Sequence, residues 1–214
     1  MPRSKKDPSL RQNEFVDAAK ELFFLKGYDD TSIRDVLDAV GEKSVSPSVF
    51  YYYFSSKEDI YHAVMERYIE EYMVKLENCL HDEMMNIDDR IADMMSVFIK
   101  TLAESTWAVD TQESMSNRFF VLDFRERISR RVMDMWETAI ASLPWIDSAV
   151  NARNLALYIT GGICEMIYDF MFEQKNRQQE LKTLAGDIVN FTTRVLETPK
   201  FIRKRFMDEV KNEF

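Results

Sequence analysis

Apolar residues recur along this chain at intervals of three and four, and no segment alternates convincingly as a half-buried strand does. Phe15, Ala18, Ala19, Leu22 and Phe23 follow one helical face, and Gly27 closes that helix as a C-cap does. A second, short helix is predicted from about Ile33 to Val40. Thr31-Ser32 opens it, Asp35 is placed to complete a capping box with Ser32, and Gly41 ends it. A third opens at Ser46-Pro47, a preferred N-cap followed by a preferred first helical residue, and runs only to about Phe54. Ser55-Ser56-Lys57-Glu58-Asp59 then starts a fourth helix with two overlapping capping boxes. Tyr61, Val64, Met65, Tyr68, Tyr72, Leu76 and Leu80 keep its period.

Longer helices follow. Ile91, Met94, Met95, Phe98, Ile99 and Leu102 form one stripe; Ile128, Val132, Met135, Trp136, Ala139 and Ile140 form another, stopped at Leu143-Pro144. Leu155 to Phe172 is apolar nearly all round and reads as a buried helix. Leu181, Leu184, Ala185, Ile188, Thr192, Val195 and Leu196 make a clean stripe. After Thr198-Pro199, Ile202, Phe206, Val210 and Phe214 define a last amphipathic helix. The predicted class is all-α. Three short helices over residues 1–56, with the basic N-terminal segment, form a first domain, and residues 57–214 form a helical bundle. Two short helices about a Gly-containing turn, the second carrying polar aromatics, have the form of a helix-turn-helix.

Composition changes this picture in one respect. The 214 residues are 46% hydrophobic and 30% charged, which excludes wholesale disorder, but the formal charge is −9, the wrong sign for a polyanion binder. Cys79 and Cys164 lack any CxxC or His-paired spacing and read as reduced core thiols. The opening MPRSKKDPSLRQNEF is basic without an apolar core, unlike a signal peptide. Glu165 and Asp169 interrupt the most apolar helix, which argues against a membrane span. A cytoplasmic protein with no membrane partner is expected.

The stretch FVDAAKELFFLKGYDDTSIRDVLDAVG…VSPSVFYYYFSSKEDIYHAVM resembles the N-terminal domain of the TetR family of bacterial transcriptional regulators. The resemblance covers roughly residues 13–65: the AAxxLFxxxG helix, Thr-Ser before helix two, Gly41, the F-Y-Y-Y-F helix and the S-K-E-D opening. It implies a homodimer that binds palindromic double-stranded operator DNA, usually as a repressor, and is released by a small-molecule effector. It also implies dimerisation through helices at about 152–173 and 178–197, and no cofactor. The purpose of the helix after Pro199 stays open.

The resemblance implies that Tyr51 meets phosphate, that Tyr52 and Tyr53 meet bases or backbone, and that Lys57 clamps a phosphate. Thr31 or Ser32, together with Arg34, matches the backbone-contacting start of helix two. Physical chemistry supports the same segment. Ser46, Pro47, Ser48 and Val49 are small or short residues at the end of a helix that has to enter a major groove, and Val49 suits a thymine methyl. Phe50 and Phe54, four apart, can face inward, and three consecutive tyrosines cannot all face one core. Arg3, Lys5, Lys6 and Arg11 form either an arm along the groove or a solvated terminus. Glu42-Lys43-Ser44 adds about three residues to the usual turn, and Ser48 stands where Gly is common, so backbone-contacting roles transfer more safely than base-reading ones.

In the bundle, Met94, Met95, Phe98, Leu102, Trp107, Phe119, Phe120, Met135, Trp136, Tyr158 and Met166 suit a cavity for an apolar or amphipathic ligand, or plain core packing. Glu165 and Asp169, four apart on an apolar helix, either meet a cationic ligand or partner residue or face solvent. Gly161-Gly162 in mid-helix points to close helix approach. An enzyme is disfavoured: Asp88-Asp89…Asp93 is similar to the aspartate-rich motif of all-α prenyl-diphosphate enzymes, but Ala92 stands where that motif has Asp. Asn86 with its two aspartates reads instead as an N-cap. His62 and His81 read as helix-surface residues. The other alternative is a helical ligand-binding or adaptor protein without specific DNA binding, which the acidic charge favours.

The charge resolves by position. Residues 1–62 carry 9 Lys+Arg and 11 Asp+Glu, and residues 1–11 carry a net +3. Cations for phosphate are therefore few: the arm, Arg34 and Lys57. Tyr, Ser and Thr hydroxyls have to supply much of the contact. The logarithm of DNA affinity is expected to fall with log salt at a slope far shallower than about −10, checked by titration at several salt concentrations.

Overall fold

The structure, a computed structural model, describes residues 8–40, 46–104, 115–172 and 178–213; side chains are described over 8–40, 46–102, 122–170 and 181–212. Within these residues the chain is all-helical: α1 (Pro8–Lys26), α2 (Ile33–Val40), α3 (Pro47–Tyr53), α4 (Lys57–Leu80), α5 (Ile87–Glu104), α6 (Met115–Ala141), α7 (Ala152–Phe172), α8 (Gln178–Val195) and α9 (Lys200–Glu213). Gly41 and the Glu42-Lys43-Ser44 segment lie outside the described residues, as does the arm through Lys6.

Local chemistry sets the boundaries. Gly27 adopts a left-handed φ of 86° and donates its N–H to Phe23 O at 3.0 Å, which ends α1. At α2, Ser32 Oγ accepts the Asp35 N–H at 3.1 Å while the Asp35 carboxylate accepts the Ser32 N–H at 2.7 Å, the reciprocal pair of a capping box. The two boxes expected before α4 merge into one. Ser56 Oγ accepts the Asp59 N–H at 3.1 Å, and Asp59 reaches one residue further back to the Ser55 N–H at 2.8 Å. At α5, Asn86 Oδ1 accepts the Asp89 N–H at 2.9 Å.

Two principal cores form. The first joins Phe15, Val16, Ala19 and Phe23 of α1 to Val36 and Leu37 of α2, Phe50 of α3, Phe54, and Ile60, Tyr61, Val64 and Met65 of α4. The second fills the bundle, from Ile69, Tyr72, Met73, Leu76 and Leu80 of α4 through α5, α6, α7 and α8 to Ile202, Phe206 and Val210 of α9. Helix α9 is thus a structural wall: it lies against α5 and α8, and Arg205 pairs with Asp89. Of the aspartates on the first turns of α5, Asp89 is engaged in capping and in an ion pair with Arg205, and Asp93 faces the same arginine at 3.7 Å.

One expectation about α7 is corrected. It is not buried all round: Leu157 is 50% and Tyr158 65% exposed in the single chain. The paired glycines also divide. Gly161 faces open space, whereas a Cβ on Gly162 would come within 2.5 Å of the Phe191 ring on α8. Gly162→Ala is expected to cost roughly 1–3 kcal/mol in urea unfolding, and adding Phe191→Leu to recover part of it.

Candidate DNA interface and apolar cavity

The third helix is held by its phenylalanines. Phe50 and Phe54 are buried, and both rings meet Phe15 of α1, at centroid distances of 6.0 and 6.4 Å. This anchoring turns Tyr51 and Tyr52 outward, 57% and 75% exposed. Tyr53 is only half-buried outward, its ring tilted against Phe15 at 6.0 Å, so the three tyrosines do not share one role. Ser46, Pro47 and Ser48 are exposed and Val49 is half-buried. Ser46 occupies the N-cap position without capping through its side chain; its hydroxyl pairs with that of Ser48 at 2.8 Å.

Thr31 is a correction. It is fully buried, and its hydroxyl donates to Gly27 O at 2.7 Å, so it holds the α1–α2 turn and does not face DNA. A β-branched residue just before a capping box resembles a second cap in sequence, but only Ser32 serves α2. Ser32 remains exposed, and the Arg34 side chain is 89% exposed, with Asp38 at 3.9 Å. Lys57, the first residue of α4, is half-buried: its ammonium lies 4.1 Å from the Tyr28 ring centroid and donates to Asp29 O at 3.3 Å. Burial lowers its pKa from the ordinary lysine value, opposed by the carboxylates of Asp29 and Asp30.

Between the helices of the bundle lies a cavity of about 230 Å³. Met94, Met95, Phe98 and Leu102 of α5 and Met135 and Trp136 of α6 line it, as the sequence pattern suggests. Four expected residues do not. Tyr158 lies on the outer face of α7 with its ring 6.0 Å from Phe191, and Met166 packs against the small cluster around Phe170 and Leu184. Glu165 points away and pairs with Arg125 at 2.6 Å, and Asp169 is exposed off the cavity wall. The helical period places α7's apolar residues on two faces, one inward and one outward, and sequence alone did not separate them. Trp107 lies outside the described residues, and the side chains of Phe119 and Phe120 are likewise not described.

Sequence reasoning missed the upper wall. Phe23 and Phe24 of α1, Tyr28, and Tyr61 and Tyr68 of α4 also line the cavity, which therefore reaches into the first domain. Their spacing marked them as core of that domain, and nothing local signalled that one side stays open. Arg125 and Cys164 stand on the wall as well. Burial raises the Cys164 thiol pKa, only partly offset by Arg125.

Residues 15–64, which hold the helix-turn-helix and the start of α4, match the family model of bacterial regulatory proteins, tetR family. Residues 15–64 are thus a TetR-type N-terminal domain. The TetR-type region is 35% identical over 78 residues to the HTH-type transcriptional repressor ComR of Escherichia coli (strain K12), covering 36% of each chain. It is 34% identical over 74 residues to the uncharacterized HTH-type regulator YfiR of Bacillus subtilis (strain 168), 35% of each. These alignments span about a third of the relatives' length.

The overall helical architecture recurs in solved structures. SmeT, the repressor of the Stenotrophomonas maltophilia multidrug efflux pump SmeDEF, superposes with a TM-score of 0.61 at 18% identity, over 89% of this chain and 92% of that one. The fatty acid degradation regulator FadR from Bacillus halodurans gives 0.59 at 16%, over 92% and 99%. At such identities the likeness is one of fold: an N-terminal helix-turn-helix domain on a C-terminal helical domain. Among the described residues no helix is long and apolar enough to cross a membrane.

The internal role of Thr31 gives a clear expectation. Thr31→Val removes the donor to Gly27 O and is expected to cost about 1–3 kcal/mol in urea unfolding. The salt slope of DNA binding should stay unchanged, since no phosphate contact is lost.

Proposed function

We propose that this chain is a TetR-type transcriptional regulator acting in the cytoplasm. It represses by binding palindromic operator DNA as a homodimer, and a small apolar or amphipathic effector releases it. The observation that carries the reading is that α4 presents Lys57 beside the exposed recognition helix at one end and lines an apolar cavity along its length. Residues 1–56 act as the reading head and 57–214 as the sensing and dimerising bundle.

In this reading α3 enters the major groove. Tyr51 and Tyr52 reach phosphates and base edges, Ser46, Pro47, Ser48 and Val49 allow close approach, and Ser32, Arg34 and Lys57 hold the backbone. The exposed apolar face of α7, with Leu157, Tyr158 and the open side of Gly161, is where a second copy packs, together with α8. The cavity wall is almost wholly apolar, which favours a ligand of the same character. Bound effector favours a dimer whose reading heads are no longer one helical turn, about 34–36 Å, apart, and DNA is lost by differential affinity.

Selection of bound duplexes from a random pool is the decisive experiment. The expected product is a palindrome whose half-sites lie about one turn apart. Tyr51→Ala with Tyr52→Ala should then reduce affinity for it by roughly tenfold or more. Leu157→Glu should yield monomers in sedimentation and lose the palindrome. Failure to enrich any sequence would favour the ligand-binding adaptor instead.

A further inference from the structure

Tyr28 belongs both to the cavity wall and to the surroundings of Lys57. We propose that Tyr28 is a positioning residue: it holds the Lys57 ammonium for a DNA phosphate and carries the occupancy of the cavity directly to that ammonium. The inference rests on the reading of the chain as an effector-released DNA-binding protein and deepens it by naming the contact.

The geometry builds from the turn. Gly27, with φ of 86°, swings the chain out of α1, so the next side chain folds back over the end of the first core. The Tyr28 ring packs on two other aromatics, Phe23 and Tyr61, each at a centroid distance of 5.4 Å. All three rings line the cavity. On the side of the DNA-facing surface, the same Tyr28 ring supports the Lys57 ammonium at 4.1 Å. The other recorded partner of that ammonium, Asp29 O at 3.3 Å, is the next residue of the same turn. Two holds on Lys57 therefore move with Tyr28.

An ammonium has three N–H groups, and one donated to Asp29 O leaves others for phosphate. The ring attracts the cation through its quadrupole without taking a hydrogen bond, so it orients the lysine while leaving it able to donate. Phe23 and Tyr61 are buried, so a molecule entering the cavity beside them presses on the Tyr28 ring that packs against both. This route is short and direct. It does not need the whole of α4 to swing.

The test compares wild-type protein with Tyr28→Phe, Tyr28→Leu, Lys57→Met and the Leu/Met double variant on the selected duplex, with thermal unfolding as a control of folding. Tyr28→Phe, which keeps the ring over the ammonium, should keep the full salt slope. Tyr28→Leu should lose roughly three- to tenfold in affinity and about one unit of salt slope. The double variant should be no weaker than Lys57→Met alone. Should Tyr28→Leu fail to fold, 3,4,5-trifluorophenylalanine at position 28 weakens the cation–ring attraction at nearly constant shape, and the same loss is expected.

For the cavity arm, lysines are labelled by reductive 13C-methylation, and the Lys57 resonance is assigned by its absence in Lys57→Met. N-phenyl-1-naphthylamine, whose fluorescence reports its own binding, should shift that resonance in wild type and Tyr28→Phe but not in Tyr28→Leu. A full salt slope in the leucine and trifluorinated variants, or a Lys57 resonance unmoved by bound probe, would overturn the proposal. Wild-type protein that shows no salt-dependent DNA binding, or takes up no probe, would instead bring down the reading of function on which it rests.

Discussion

Everything in this molecule hangs on the continuity of α4. Its 24 residues run about 36 Å at the helical rise, with no Gly or Pro to bend them. Ile60, Tyr61, Val64 and Met65 are buried in one core, and Ile69, Tyr72, Met73, Leu76 and Leu80 in the other. Because both halves are anchored among buried neighbours, neither can slide without disturbing them. The junction is laced laterally. Arg67 reaches Asp17 at 2.5 Å and Asn13 at 2.6 Å on α1, and Arg131 of α6 reaches Glu70 at 2.8 Å. Such exposed pairs add little stability, but they fix the rotation of the helix about its axis.

The acidic charge takes on a structural meaning in this light. Much of it is answered within the bundle, where Arg127, Arg131 and Arg153 of α6 and α7 face Glu66, Glu70, Asp134 and Glu137. Among the described residues, few cations stay exposed around the third helix, and its tyrosine hydroxyls are correspondingly prominent.

Much of the architecture was legible in residue order. The caps at Ser32, Ser56 and Asn86 mark helix starts through side chains that bond their own backbone, a chemistry confined to a few neighbouring residues. Phe50 and Phe54 announced their inward face by a spacing of four. What was hidden is whatever depends on contact between distant segments. Thr31 and Ser32 look alike in sequence, yet one faces the first core and the other solvent, because the turn at Gly27 sets their directions. Likewise, nothing in the periodicity of α7 separates Ile163, which lines the cavity, from Tyr158, which does not. The aromatics at the roof of the cavity satisfied the first core so well that their second face went unread.

Helix α9 has a consequence for the order in which the molecule comes into being. Its Arg205 meets Asp89 across 116 residues, and its Ile202, Phe206 and Val210 complete the core begun by α4 and α5. The buried residues of the first core, by contrast, all fall between Phe15 and Met65, with only Phe124 of α6 packed against them from later in the chain. During vectorial synthesis the first core therefore has nearly all its partners while the bundle still lacks a wall. Each nascent chain passes through an interval in which the first core is largely assembled and the bundle still stands open on one side.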